Sequence, residues 1–304
     1  MISVVIPTRN RAGLVCRAVR SVLSQSHRNL ECIVVDDASD DGTAAKVEAL
    51  GDPRLKVVVH DSPRHASAAR NTGIAVASGT YIAFLDDDDE WLPTKLARQL
   101  DLLRSLPEPV GMVYCWVEYL DNVSGRVTRY APTLTGNVFP EVFDRQRIGP
   151  CSSLMVRRDV LEVVGGFDDQ LPRGNDGDFI RRVCRQYEVD YVPEILVRMH
   201  TGHGYERITR SDEEGLSNAV QSELIKLRKF SAEAAAYPKR TARILAKAAS
   251  ASIRLGRVRE GWALYRRALV LAPWSLTVYR QVGLGLRVLG ASLIGRRAGP
   301  GRGG

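Results

Sequence analysis

Short runs of consecutive apolar residues alternate along the first third of the chain with stretches whose apolar positions recur every three to four residues. Ser3–Ile6, Leu30–Val35, Leu55–Val59 and Tyr81–Leu85 have the length and Val/Ile/Leu content of strands. Ala12–Ser24, Thr43–Leu50 and Ala66–Ala77, which separate them, carry helical spacing. Strand, helix, strand in strict alternation predicts a parallel sheet with helices on both faces, and unbroken apolar strands are what two covered faces require. From about Val110 to Val197 the pattern is less regular, with turn-rich pieces at Gly165–Asp169 and Pro172–Asp178. Beyond Ser217 it is helical, and the last six residues, Gly299–Gly304, have nothing to pack and are expected to fray.

In such sheets ligands bind beyond the carboxyl ends of the strands. Three predicted strands end in chemically loaded residues: Pro7-Thr8-Arg9-Asn10-Arg11, Asp36-Asp37-Ala38-Ser39-Asp40-Asp41-Gly42-Thr43, and Asp86-Asp87-Asp88-Asp89-Glu90. They are expected to converge on one edge. Five acids directly after an apolar strand need a positive partner, because burying them unpaired costs many kcal/mol. An oxygen-rich carboxylate set suits Mg2+ or Mn2+, and Mg2+ is commonly held by one or two carboxylates with substrate phosphates completing its shell. The pattern therefore points to a phosphorylated ligand; the alternative is a solvated acidic loop. A chain turning out of a strand at Pro7-Thr8 can offer backbone groups to a nucleotide, with Arg9 or Arg11 approaching its diphosphate.

At 304 residues, 44% of them hydrophobic and 26% charged, the chain suits one large domain with an appendage, or two domains. The net charge of +8 is unevenly spread. Residues 238–304 hold 14 Lys and Arg against one acid, Glu260, a net of +13, whereas the other 29 basic and 34 acidic residues leave −5 upstream. Five scattered cysteines argue against a disulfide framework or a zinc site and for reduced thiols. Met1–Pro7 has no basic leader and no run of about 18 apolar residues is present, so a cytoplasmic chain is expected, peripheral at the inner face of the membrane if it meets lipid.

The blocks Val4–Arg11, Val34–Thr43, Ala69-Arg70-Asn71-Thr72-Gly73-Ile74, Asp86–Pro93, and Gly165-Gly166-Phe167 followed by Asn175-Asp176 resemble, in order, an inverting nucleotide-sugar glycosyltransferase of family 2 with the GT-A fold. The resemblance covers about residues 1–200. It implies an α/β nucleotide-sugar-binding fold with a mostly parallel central sheet, extending over 1–210. It also implies transfer of a sugar from a UDP-linked donor to a saccharide or lipid-linked acceptor, with Mg2+ or Mn2+ neutralising the departing diphosphate. By resemblance Asp37 accepts a hydrogen bond from the base, Arg70 and Asn71 lie at nucleotide or sugar contacts, and the Asp-x-Asp motif maps onto Asp86-Asp87-Asp88. Asp88 is then the direct metal ligand, with Asp86 or Asp87 facing the ribose or a bound water. Asp176 is the base that takes the acceptor's proton, and Asn175 departs from the Glu or Gly usual before it. Asp178, two residues on, is the rival for that role; it opens a helix expected over Phe179–Arg185, and an acid at that helix N-terminus is the favoured reading. His200 stands where a metal or diphosphate contact is expected, with His203 beside it. Trp91 and Trp116 are candidates for sugar stacking, with core packing the favoured reading.

Ala246–Pro273 is similar to a single tetratricopeptide-type hairpin, with Leu255-Gly256, Tyr265, Ala268 and Pro273 in register and Gly261 at a small-residue position. One such repeat cannot bury its face alone. The basic helical appendage over 211–298 has two docking readings, an anionic membrane surface or a protein partner, beside a plain solvated face; Val282, Leu284, Leu286, Val288, Leu289 and Leu293 are candidates for shallow insertion and equally for core contacts against the hairpin. Its aromatics do not alternate with the basic residues as in a stacking platform, so nucleic acid is not expected. Pro7-Thr8-Arg9-Asn10-Arg11 after the first strand has none of the glycines that a dinucleotide-binding dehydrogenase or a nucleotidyltransferase needs there, which disfavours both classes. A degenerate transferase fold serving as a saccharide-binding or scaffold protein is the alternative to an enzyme.

Overall fold

The computed structural model describes residues 1–202, 204, 212–284 and 287. The chain divides into two compact units, Met1–Asp169 with Asn175–Glu206, and Gln170–Gly174 with Arg207–Gly304.

The first unit opens with β1 (Ile2–Thr8), α1 (Ala12–Leu23), β2 (Leu30–Asp36), α2 (Thr43–Glu48), β3 (Leu55–Val59), α3 (His65–Val76) and β4 (Tyr81–Phe84). Each lies within a residue or two of its sequence expectation. Then come β5 (Asp89–Trp91), α4 (Lys95–Ser105), β6 (Val110–Asp121), β7 (Val127–Tyr130), α5 (Phe139–Phe143), β8 (Met155–Arg157), α6 (Arg158–Val164), α7 (Asn175–Gln186) and β9 (Glu188–Thr201). The strands form one sheet in the order β3-β2-β1-β4-β8-β6-β9-β5, with β7 beside β6. Six of the nine strands run the same way, and β5, β7 and β8 run against them. Every residue of β1 and β2 is buried, as the unbroken apolar runs required. In α1 the buried positions Val15, Cys16, Ala18, Val19 and Val22 recur at helical spacing and join the core formed with Ile2, Val4, Ile6, Leu96 and Val113. Gly73 lets α3 approach β1, since a Cβ there would stand 2.3 Å from Val5 Cγ1. All five cysteines are buried free thiols.

This topology brings the ends of β1, β2, β4, β6 and β9 to one edge, while the acids after β4 run into β5 and so alongside β9. Among the described residues three that are not glycine take left-handed backbone, Asn10 (φ 52°), Ala38 (φ 58°) and His65 (φ 68°), and all lie in loops at that edge or at the start of α3. Backbone held in this region costs of order 1 kcal/mol or more per residue and persists where its surroundings impose it.

The second unit contains α8 (Glu213–Lys229), α9 (Ser231–Ala236), α10 (Pro238–Arg254) and α11 (Val258–Leu271), and the chain is helical again over 276–284. Asp212 caps α8 by accepting from the Gly215 amide at 2.8 Å. Ala242, Leu245, Ala249, Ile253, Leu264, Tyr265, Ala268 and Val278 make its core, with Leu224, Leu227 and Val282 packed against it. The repeat-like hairpin α10–α11 thus buries its face on α8 and on the helix that follows. Gly261 is required at the crossing, where a Cβ would meet Ile253 Cγ1 at 2.5 Å. Val282 is a core contact of this unit; Leu286, Val288, Leu289, Leu293 and the 299–304 tail lie outside the described residues. Among the described residues no helix is long and apolar enough to cross a membrane.

Candidate active site

The loop after β1 and the acids after β4 are locked together. Thr8 Oγ1 donates to Asp87 Oδ2 at 2.8 Å, and Arg11 Nη1 reaches Asp87 Oδ1 at 2.9 Å and Asp88 Oδ2 at 3.5 Å. Arg17, on α1, holds the same loop from the other side through the Asp88 carbonyl, 2.6 Å from its Nη2. Burial pushes the Asp87 carboxyl up to about 6 even with Arg11 opposing it. The loop after β2 joins the first: the Asp37 amide donates to Thr8 O at 2.9 Å, and Asn10 N–H to Ser39 Oγ at 2.8 Å. Pro7 is buried, and Arg9 stands exposed at the rim.

The four aspartates that look alike in sequence have different surroundings. Asp86 pairs with Arg70 at 2.5 Å. Asp87 is held by Thr8 and Arg11. Asp89 is fully buried and accepts from Ser152 Oγ at 2.5 Å; burial, then the charges of Asp86 and Asp88, raise its carboxyl far above the usual range. That places Asp89 in the core beneath the loop, where it favours the neutral form. Asp88, 3.5 Å from Arg11, is partly open with a side chain 14% exposed, and Asp86 is more so at 32%.

Arg70 is 9% exposed and lies over the Phe167 ring at 5.2 Å from its centroid. Burial opposes its charge, but Asp86 outweighs that cost and holds the guanidinium above its ordinary value, with Asp176 adding in the same direction. Phe167 stacks on Phe179 at 4.7 Å and meets Phe84 edge-on at 5.1 Å, so an aromatic block supports the arginine. Asn71 turns away from the edge: its Oδ1 accepts from the Phe167 amide at 2.7 Å and its Nδ2 donates to Phe167 O at 2.8 Å. Gly166 makes room for this clamp, because a Cβ there would stand 2.3 Å from Asn71 Oδ1. Arg182 donates to the carbonyls of Val164, Gly165 and Gly166, closing the same turn.

Helix α7 starts at Asn175, four residues before the expected Phe179, so Asp176 and Asp178 both lie in its first turn. Their environments separate them. Asp178 is fully buried and paired with Arg182 at 2.9 Å. Asp176 is half-buried, accepts only its neighbour Gly177's amide (2.8 Å) among the hydrogen bonds at its carboxylate, and acts electrostatically on Arg70 and Cys151. Asn175 is bonded to Ser67 on α3, which ties the start of α7 to the helix that carries Arg70.

Asp37 is 4% exposed and already takes three donors, His60 Nδ1 and the Arg64 amide on Oδ1 and the His65 amide on Oδ2, each at 2.8 Å. Oδ2 therefore has room for one further donor. His200 sits at the end of β9, its Nδ1 3.0 Å from Asn122 Oδ1 and its Nε2 3.3 Å from Glu90 Oε2; burial and then Arg17 lower its pKa. His203 lies outside the described residues. Trp91 is a core residue, 2% exposed, with Nε1 donating to Ser152 O at 2.8 Å and Lys95 Nζ 3.8 Å above its ring. Trp116 donates to Pro132 O at 2.9 Å and stacks on Tyr191. Sequence reasoning missed Arg17, Ser152 and Lys95. The Lys95 ammonium is fully buried, bonded to Gln99 Oε1 at 2.7 Å, and burial draws its pKa down to about 8. No motif marks these three, and their roles follow from packing.

Residues 3–165 match the family model described as glycosyl transferase family 2, more than half of the chain. The chain belongs to this family. Among family relatives, WfgD of Escherichia coli, named as a UDP-Glc:α-D-GlcNAc-diphosphoundecaprenol β-1,3-glucosyltransferase, is 36% identical over 124 residues, covering 41% of this chain and 48% of WfgD. WcaA of E. coli K12, a glycosyl transferase named for colanic acid biosynthesis, is 32% identical over 227 residues, covering 69% of this chain and 76% of WcaA. The chain thus spans about half the length of the first relative and three quarters of the second. Among solved structures, S. aureus TarS 1-349 in complex with UDP-GlcNAc superposes with a TM-score of 0.70 at 16% identity, over 94% of this chain and 88% of that one. The mannosyltransferase PcManGT of Pyrobaculum calidifontis, in complex with GDP-Man and Mn2+, gives 0.58 at 20% identity, over 94% and 79%. At these identities the likeness is one of fold, and it is that of the family 2 catalytic fold that the motifs predicted.

Proposed function

We propose that this family 2 protein transfers a sugar from a UDP-linked donor to a saccharide or lipid-linked acceptor, with inversion, in the synthesis of a polysaccharide or glycoconjugate. The observation that carries the reading is the meeting of Thr8, Arg11, Arg70 and the Asp86–Asp88 run at one sheet edge, within electrostatic reach of the half-buried Asp176. The names of WfgD and WcaA support the reaction class, and the first of them a lipid-linked acceptor.

Pro7, Thr8 and Asp37 would receive the nucleoside, with the spare position on Asp37 Oδ2 for a base N–H. Arg9, Arg11 and Arg70 place positive charge where the diphosphate departs. Asp176 would take the proton of the acceptor hydroxyl as its oxygen bonds to the anomeric carbon on the face opposite the diphosphate, whose bond to that carbon breaks. A divalent cation fits this donor set on one condition. Among the described residues no three His, Cys, Asp or Glu side chains form a ready cage, so Asp88 would hold Mg2+ or Mn2+ together with diphosphate oxygens and water, as Mg2+ sites commonly do. His200 would join only by exchanging Glu90 for the metal. When bound, the ion would neutralise charge on the leaving group. Residues 1–210 would carry this chemistry and the helices over 211–298 would govern location.

The test is calorimetry of UDP with and without Mn2+. Wild-type protein should bind UDP in a Mn2+-dependent manner and Asp88→Ala should lose most of that dependence; equal binding by both proteins would remove Asp88 from the site.

A further inference from the structure

Of the exposed large hydrophobic side chains among the described residues, six crowd into fifteen positions of the second unit: Val270 (82% exposed), Leu271, Trp274 (91%), Leu276 (81%), Tyr279 and Leu284. The first unit's exposed apolar residues, Met1, Val59, Val76, Val123, Val127 and Val163, are scattered apart from the pair in one hairpin, which is ordinary; a cluster of this density is not. The local fold creates it. Val278 and Val282, four residues apart, turn inward to the helical core, so the opposite face of the 276–284 helix carries Leu276, Tyr279, Arg280 and Leu284 outward, at i, i+3, i+4 and i+8. Val270 lies in the last turn of α11 and Trp274 in the turn that follows, so all six exposed side chains are gathered within this short stretch of helix, turn and helix.

We infer that the Val270–Trp274–Leu276 patch is a membrane-docking surface that inserts its apolar tips among the headgroups of an anionic bilayer. Arg266, Arg267, Arg280 and Arg287 are exposed around it, and Glu260 is the sole acid between 238 and 304. A second copy of the chain would bring the same +13 segment against itself, and like charges repel. Side chains more than four-fifths exposed project from the surface and line no groove. Projecting tips suit a soft apolar phase, and a tryptophan and a tyrosine among arginines suit the interface between headgroups and acyl chains. Of the residues the sequence suggested, Leu284 is exposed in this patch and Val282 packs against the core, and the structure adds Val270, Trp274 and Leu276, each more than four-fifths exposed.

The inference stands apart from the donor and acceptor assignments, since lipid binding is read without turnover. Full-length protein would be mixed with phosphatidylcholine vesicles with and without about 30% phosphatidylglycerol, a fraction chosen to give the surface its negative potential, and binding followed by flotation. The anionic vesicles should bind, and binding should fall as salt screens the attraction. Tryptophan emission should shift to the blue on binding, and Trp274→Phe should abolish most of the shift. The double substitution Trp274→Ser/Leu276→Ser should weaken binding by about tenfold or more, from the lost burial of two large apolar groups, with thermal melting unchanged because both side chains are in solvent. Unaltered vesicle binding by that variant, or wild-type protein that ignores the vesicles at low salt, would overturn the inference. So would a wild-type sedimentation coefficient that reports self-association and falls in the double variant, because a second copy would then cover the face.

Discussion

Replacing Gly166 by alanine should break the clamp between α3 and the turn before α7, at a cost the geometry sets. The added Cβ would stand 2.3 Å from Asn71 Oδ1 and 3.1 Å from its Cγ. Asn71 must then swing away and release both bonds to Phe167, the 2.7 Å amide contact and the 2.8 Å carbonyl contact. Two hydrogen bonds at about 1 kcal/mol each, plus a stranded amide at about 1–3 kcal/mol, give a loss of about 3–5 kcal/mol. Asn71→Ala removes the same two bonds and should cost a similar amount. In the double variant the new methyl fills space that the asparagine has vacated, so the combined loss should match either single one, a coupling of about 2 kcal/mol or more. Chemical denaturation of the four proteins measures the cycle. Calorimetry of UDP on the same proteins should show weakened binding in each variant, since Phe167 supports Arg70. Additive losses, or a Gly166→Ala protein within about 0.5 kcal/mol of wild type, would refute the clamp.

Asp176→Asn should lower transfer by about 10²–10⁴-fold while leaving donor binding in place, because the amide cannot accept the acceptor's proton; Asp178→Asn should instead lower the melting temperature by unpairing Arg182, and the reverse pattern would shift the base by two residues. Lys95 makes stability depend on alkaline pH. Its folded pKa of about 8 lies below the ordinary 10.5, so the native state holds fewer protons between those values and stability should rise as pH climbs from 8 to 10.5. The effect is ~3 kcal/mol across that window, and it should appear as a pH-dependent difference between wild type and Lys95→Met in melting curves recorded over it; parallel curves would show that burial does not disfavour this charge.

Much of the catalytic unit was legible in the sequence because its strands are buried on both faces. Ser3–Ile6, Leu30–Val35 and Tyr81–Leu85 could only be unbroken apolar runs, and the chemistry had to follow where each run stopped. Order along the chain was enough to bring Thr8, Asp36 and the Asp86 run to one edge, since parallel strands joined by helices end on the same side. Sequence could not divide the labour among four consecutive aspartates. Asp86 belongs to Arg70, Asp87 to Thr8 and Arg11, and Asp89 to Ser152, all partners from at least 16 residues away. The same limit holds for Asp176 and Asp178, which sequence ranks by spacing and the structure separates by burial beside Arg182. At the other end of the chain, helical periodicity and charge were plain, but the outward face of the 276–284 helix was decided only when Val278 and Val282 were committed to the core. Backbone conformation follows from local pattern. The identity of a side chain's partner depends on which distant segments the packed core brings alongside it, and that is a property of the tertiary structure.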